Sequence, residues 1–151
     1  MKISRRPTLI IGYGNPLRGD DAFGWHAAHR LVTLAQGKSV RVLPAHQLTP
    51  ELAEPISEAE LVIFIDASHQ GEPGAWQCKD IARNVLLAPD CWFAHYLTPV
   101  ALLVFARMVY GACPRALLFS FTTESFGCGE TLTRSAKAAL PEVLQRILAI
   151  L

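Results

Sequence analysis

The segment 8–24, TLIIGYGNPLRGDDAFG, constrains this chain more than any other. Leu9, Ile10 and Ile11 read as a buried strand, Gly12 and Gly14 free the backbone to turn sharply, and Asp20 and Asp21 stand where a helix begins. Open α/β sheets place their ligand chemistry at such a strand-to-helix turn. Here the turn is acidic, which argues against a dinucleotide site. In the G-x-G-x-x-G register the third glycine falls at Leu17, and two carboxylates repel a phosphate. A cation fits better. The plainer alternative is that the carboxylates cap the helix at its positive end. The expectation is that one of them does so and leaves the other free.

Apolar runs alternate with helical patterns from end to end, which predicts an α/β fold: a single-domain, three-layer αβα sandwich around a mostly parallel twisted sheet. Strands are expected at 8–12, 40–44, 61–65 and 116–121. A further strand at 75–81 follows the turn residues Gly71, Glu72, Pro73 and Gly74 and is expected as an antiparallel edge. The first helix is expected at 22–35, with Gly24, Ala27, Ala28, Leu31 and Ala35 inward. A short helix at 51–56 follows Thr49-Pro50, and one at 100–110 follows Thr98-Pro99 and ends at Gly111. Apolar residues point in nearly every direction from the helix at 100–110, so it is expected to be largely buried. The last helix starts after Thr133 with Leu140, Leu144, Ile147, Leu148 and Leu151 as its stripe, and Pro141 predicts a kink or a restart.

A 151-residue chain buries roughly 68–70% of its unfolded surface, enough for one self-sufficient core over residues 1–151. Its 14 basic and 13 acidic residues nearly cancel, so no electrostatic footprint for nucleic acid or anionic membrane is present. Cys78, Cys91, Cys113 and Cys128 never approach C-x-x-C spacing and read as reduced thiols. The apolar run after Lys2, Arg5 and Arg6 is broken by Gly12, short of a signal-peptide core, and the run 100–106 is too short for a bilayer. The expectation is a soluble cytoplasmic protein.

Asp66 ends the run LVIFID, so its carboxylate emerges at the carboxyl end of a buried strand. A doubly wound sheet shares that rim with the turn after the first strand, which brings Asp66 toward Asp20 and Asp21. His95, three residues before Thr98, lies on a loop that can reach the same rim. Two oxygen ligands and an imidazole with open positions suit a catalytic divalent metal such as nickel or zinc. The alternatives are a strand-end cap for Asp66 and a backbone-bonded loop histidine at position 95. His69 is expected in an exposed turn, and His26 and His29 solvent-facing or partly packed on the first helix; His46 has no assigned place. No G-x-S-x-G elbow or Cys-His pairing is present. Ser68 and Ser125 read as turn residues, and Cys91 as a packed thiol near the proposed site.

The sequence resembles the hydrogenase maturation proteases over nearly its whole length. GYGNPLRGDDAFG is similar to the family's opening motif, LVIFIDASHQGEPG to its second, FAHYLTPVALL to its third and FGCGETLTRSAKAALPEVL to its C-terminal signature. The resemblance implies a phosphorylase/hydrolase-like sandwich and an aspartic-type or metal-dependent endopeptidase. It also implies a partner, the [NiFe] hydrogenase large-subunit precursor, whose C-terminal extension is removed. Asp21, Asp66 and His95 match the metal-contacting and catalytic positions; the first of these is often glutamate in the family. Asn15 and Asp20 match the opening motif and would belong to the turn or to the groups behind the ligands. Glu130 in the C-terminal signature and Glu124 just before it have no assigned role. The nickel would arrive in the precursor, and weak binding by the free protein would suit a checkpoint. Trp25 or Trp92, if exposed near the site, would anchor the partner.

Two rival readings remain. Peptidyl-tRNA hydrolases share the G-x-G-N-P opening, but this chain lacks the following glycine, the downstream His-Asn pair and the positive charge a tRNA backbone needs. A non-proteolytic assembly chaperone or nickel-checkpoint docking module would keep the fold and bind without cutting.

Overall fold

The computed structural model of the chain describes residues 6–87, 97–124 and 127–151. His95, Cys91, Trp92 and Ser125 lie outside the described residues. Strand β1 (Thr8–Tyr13) sits between β2 (Val40–Ala45) and β3 (Leu61–Ser68). Beyond β3 comes β5 (Arg115–Thr122), and β4 (Trp76–Asp80) closes the far edge. The pairs β1/β2, β1/β3 and β3/β5 are parallel, and β4 runs antiparallel to β5. All five expected strands form, and β3 continues past Asp66 to Ser68.

Strand alternation divides the apolar residues into two cores. Ile10, Ile63, Ile65, Phe119 and Phe121 face α1 (Phe23–Leu34) and α5 (Arg134–Ile150). Leu9, Ile11, Val62 and Phe64 face α2 (Ala53–Glu58), α3 (Ala82–Leu87) and α4 (Pro99–Tyr110). The expected three layers result. Phe23 is fully buried and stacks on Phe121 with centroids 4.8 Å apart, a burial worth roughly 1.5–3 kcal/mol.

Helix α1 lies close to the sheet because its inward residues are small. A Cβ on Gly24 would stand 1.9 Å from the Ile65 carbonyl oxygen and 2.7 Å from that of Tyr13, so only glycine permits this approach. The proline in β2 has a similarly local reason. Thr8 N–H donates to Ser39 and Gly14 N–H to Ala45, which sets the odd residues of β2 toward β1. Pro44 therefore faces the open edge, where its missing N–H breaks no ladder bond.

Helix α4 starts and stops as expected: Thr98 Oγ1 accepts from Ala101 N–H at 3.1 Å, and left-handed Gly111 donates to Arg107 at 2.8 Å. Its burial is only partial, since Leu102, Leu103 and Ala106 are buried while Met108, Val109 and Tyr110 are about half exposed. The helix expected at 51–56 begins as a 3-10 turn, Pro50–Leu52, with no side-chain cap from Thr49.

Helix α5 passes through Pro141 without a restart. Pro141 lies on the exposed side with Lys137, whose carbonyl loses its helical partner where water can replace it. Helix α3 has no counterpart among the expected elements. It begins where Asp80 Oδ1 accepts from Ala82 N–H at 3.0 Å, an Asx turn that leads the chain off β4. No described helix is long and apolar enough to cross a membrane.

Candidate functional site

The chain leaves β1 to form β2 on one side and returns to form β3 on the other, so the strand order reverses at β1. Open sheets bind ligands outside the carboxyl ends of the strands at such a reversal. The β1/β3 ladder ends at Gly12 opposite Ile65, which makes Tyr13 and Asp66 the next residues on their strands. Asp66 is in turn opposite Ser120 on β5. Tyr13, Asp66 and Ser120 thus form a row across the rim, on the face that α4 covers.

Tyr13 donates its hydroxyl to Asp66 Oδ2 at 2.8 Å. The other oxygen, Oδ1, is buried with no hydrogen-bond partner among the described residues. Burial pushes the Asp66 carboxyl above the usual carboxylate range; Tyr13 and Ser120 oppose that rise, and Asp21 adds to it. The Ser120 hydroxyl favours the charged form but does not reach hydrogen-bond geometry at Oδ1. The Tyr13 phenol is raised far above its ordinary value, first by burial and then by the Asp66 charge, and it stays protonated.

Asp21 comes from the 3-10 turn Gly19–Ala22. Its Oδ2 accepts from Asn15 N–H at 2.8 Å, and Asn15 Oδ1 accepts from Leu17 N–H at 2.9 Å, so Asn15 shapes the turn and steadies the carboxylate at once. Gly14 allows the turn to close: its φ is +149°, and a Cβ there would stand 1.8 Å from the Asp21 carbonyl oxygen.

Neither aspartate caps the helix that follows, contrary to expectation. The residues at the cap positions are Arg18 and Ala22, and neither forms a side-chain cap. Asp20, 1% exposed, instead reaches across the molecule. It accepts from Thr133 N–H at 2.8 Å, Thr133 Oγ1 at 2.7 Å and Thr123 Oγ1 at 2.8 Å. Thr133 is the N-cap of α5 and Thr123 follows β5, so Asp20 ties the opening turn to both and its charge faces the positive end of α5. Gly19 N–H donates to Gly129 at 2.8 Å and Gly129 N–H to Leu17 at 3.0 Å, completing the attachment. The C-terminal signature thus clamps the acidic turn, while Glu130 within it and Glu124 just before it are exposed.

A cleft of about 830 Å³ opens beside this turn, lined among others by Tyr13, Asn15, Arg18, Asp21, His46 and Leu97. Asp66 is joined to this lining by the hydroxyl of Tyr13. His46, unplaced by sequence reasoning, stands exposed at the cleft, and Leu97 is two residues after His95 in the sequence. His69 and His29 are exposed. His26 is partly packed, and burial, with a smaller contribution from His29, lowers its pKa. Trp25 packs edge-on against His26 and His29 and is half-buried. Ser68 Oγ accepts from Gln70 N–H at 2.9 Å, the turn role expected of it. Cys78, Cys113 and Cys128 are free thiols.

Two of the three expected site residues therefore meet at one rim, Asp21 close enough to perturb Asp66. Among the described residues no group of three or more His, Cys, Asp and Glu is placed to hold a metal ion, and His95 lies outside them. The chemistry of what is present fits a cation: two carboxylates of like charge, one with a buried oxygen that no donor among the described residues satisfies. Sequence reasoning missed Tyr13, which reads as an ordinary aromatic strand residue until the β1/β3 register is known.

The structure defines a doubly wound α/β protein with an acidic crevice at its switch point. No protein-family model and no curated protein matches the chain. Solved structures do match. The hydrogenase maturating endopeptidase HybD of E. coli superposes with a TM-score of 0.76 at 23% identity, over 95% of this chain and 91% of that one. The [NiFe] hydrogenase maturation protease HycI of Thermococcus kodakarensis KOD1 gives 0.73 at 26% identity, over 98% and 94%. A hydrogenase 2 maturation peptidase from Thaumarchaeota archaeon SCGC_AB-539-E09 gives 0.69 at 21%, over 95% and 97%. The fold is that of the hydrogenase maturation proteases.

Proposed function

We propose that this chain is an endopeptidase that removes the C-terminal extension of a nickel-loaded [NiFe] hydrogenase large-subunit precursor and uses the precursor's nickel as its recognition element. The observation that carries this reading is the unpartnered Oδ1 of Asp66 at the rim shared with Asp21, in a fold shared with hydrogenase maturation endopeptidases. Charging two neighbouring carboxylates costs free energy that a cation between them returns. A cation delivered by the substrate makes the site complete only when the precursor is loaded.

Within this reading Asp21 and Asp66 contact the nickel, with His95 as the expected third contact. Asn15 N–H holds Asp21, and Tyr13 holds Asp66 by Oδ2 so that Oδ1 remains available. When bound, the divalent ion supplies Lewis-acid polarisation of the scissile carbonyl. The cleft beside Asp21 has room for an extended peptide segment.

The test is to mix the purified chain with nickel-loaded precursor and measure the precursor's intact mass. Loss of a short C-terminal peptide supports the proposal. A stable complex of unchanged mass identifies a docking module instead.

A further inference from the structure

We infer that Tyr13 is a positioning residue for the cation site, holding the Asp66 carboxylate in the one orientation that leaves Oδ1 free for a metal ion. This rests on the metal-recognition reading above and extends it to a residue outside the acidic and imidazole set.

Three observations converge on Tyr13. Its place just beyond the Gly12/Ile65 pair puts its side chain on the same face as Asp66, and the hydroxyl reaches Oδ2 at 2.8 Å. Among the described residues only one carboxylate oxygen is engaged, and the second is buried with no partner there. Tyr13 also lines the cleft that Asp21 lines, so one side chain borders that cleft and holds Asp66 by its hydroxyl. A carboxylate group can turn about its Cβ–Cγ bond unless one of its oxygens is held. A hydrogen bond to the oxygen that does not bind metal fixes the ligand's direction, and loss of such a partner typically costs 10–100-fold in metal affinity.

An alternative role for the same contact is to satisfy the buried tyrosine hydroxyl and nothing more. The two roles separate in Tyr13→Phe, which keeps the ring and removes only the donor. Cobalt(II) is a suitable probe, because its visible absorption reports ligand geometry. The full chain, Tyr13→Phe and Asp66→Asn are each titrated with cobalt(II), and thermal unfolding is followed in parallel. The expected result is a wild-type cobalt spectrum that Asp66→Asn abolishes and a Kd about tenfold or more higher in Tyr13→Phe, with an altered band shape. Unchanged cobalt affinity and band shape in Tyr13→Phe, with or without a lower melting temperature, overturns the positioning role and leaves the metal site standing. Wild-type and Asp66→Asn chains that behave alike toward cobalt overturn the metal reading, and the positioning role with it.

Discussion

Asp20 and Thr133, 113 residues apart in the sequence, are joined by two hydrogen bonds, one from the Thr133 amide at 2.8 Å and one from its hydroxyl at 2.7 Å. With Thr123 as a third donor, the buried carboxylate fastens the start of the acidic turn to the start of the last helix. Hydrogen bonds to a charged group are worth about 1.5–3 kcal/mol each, and donors stranded by loss of their acceptor cost about 1–3 kcal/mol. Asp20→Ala is therefore expected to lose about 3 kcal/mol or more in denaturant unfolding, and a melting temperature roughly 6 °C or more lower. A change under about 1 kcal/mol would show that water replaces the carboxylate without penalty.

Asp66 carries the opposite balance. Burial raises its folded-state pKa above the ordinary 3.8, so the folded chain holds the proton more tightly than the unfolded chain. The stability that follows from this is full below the unfolded pKa and is lost as pH rises through the folded one. Asp66→Asn, which keeps an acceptor for Tyr13 and removes the charge, is expected to melt higher than wild type at neutral pH, by about 2–4 °C for each kcal/mol recovered. The gap should close as pH falls toward 3.8. Melting curves that coincide at neutral pH contradict the proposed cost of the buried charge.

Gly24 tests the close approach of α1 to the sheet. A Cβ 1.9 Å from the Ile65 carbonyl oxygen meets backbone, which has little freedom to yield. Gly24→Ala should cost at least about 1–3 kcal/mol, the usual penalty for overpacking, despite the better helix propensity of alanine. Denaturant unfolding measures it, and a neutral or stabilising substitution would mean that α1 shifts without consequence.

The fold was legible where local physics decides it. Uninterrupted apolar runs such as LVIFI mark strands buried on both faces, and Thr98-Pro99 with Gly111 encloses a helix within a residue at each end. Helix α3 was not legible, being a six-residue segment dependent on a single Asx turn at Asp80. The placing of Asp21 and Asp66 toward one rim was legible through the general rule about switch points, because one follows β1 and the other lies near the carboxyl end of β3. The division of labour between Asp20 and Asp21 was not. Adjacent carboxylates at a helix start look like caps, and only the tertiary fold brings Thr123 and Thr133 to one of them. Tyr13 and His46 were hidden for the same reason, since register and loop closure, not local pattern, set what they touch.

The most direct test of the central claim is the intact mass of the large-subunit precursor, with and without nickel, after incubation with wild type, Asp21→Ala and Asp66→Ala. Asp21→Ala gives up one partly buried bond from Asn15 N–H and should fold. The account predicts loss of the C-terminal peptide only when wild-type chain meets nickel-loaded precursor, with cleavage by either variant lower by at least about 100-fold. Cleavage at the wild-type rate by Asp66→Ala, or equal cleavage of nickel-free precursor, would contradict it.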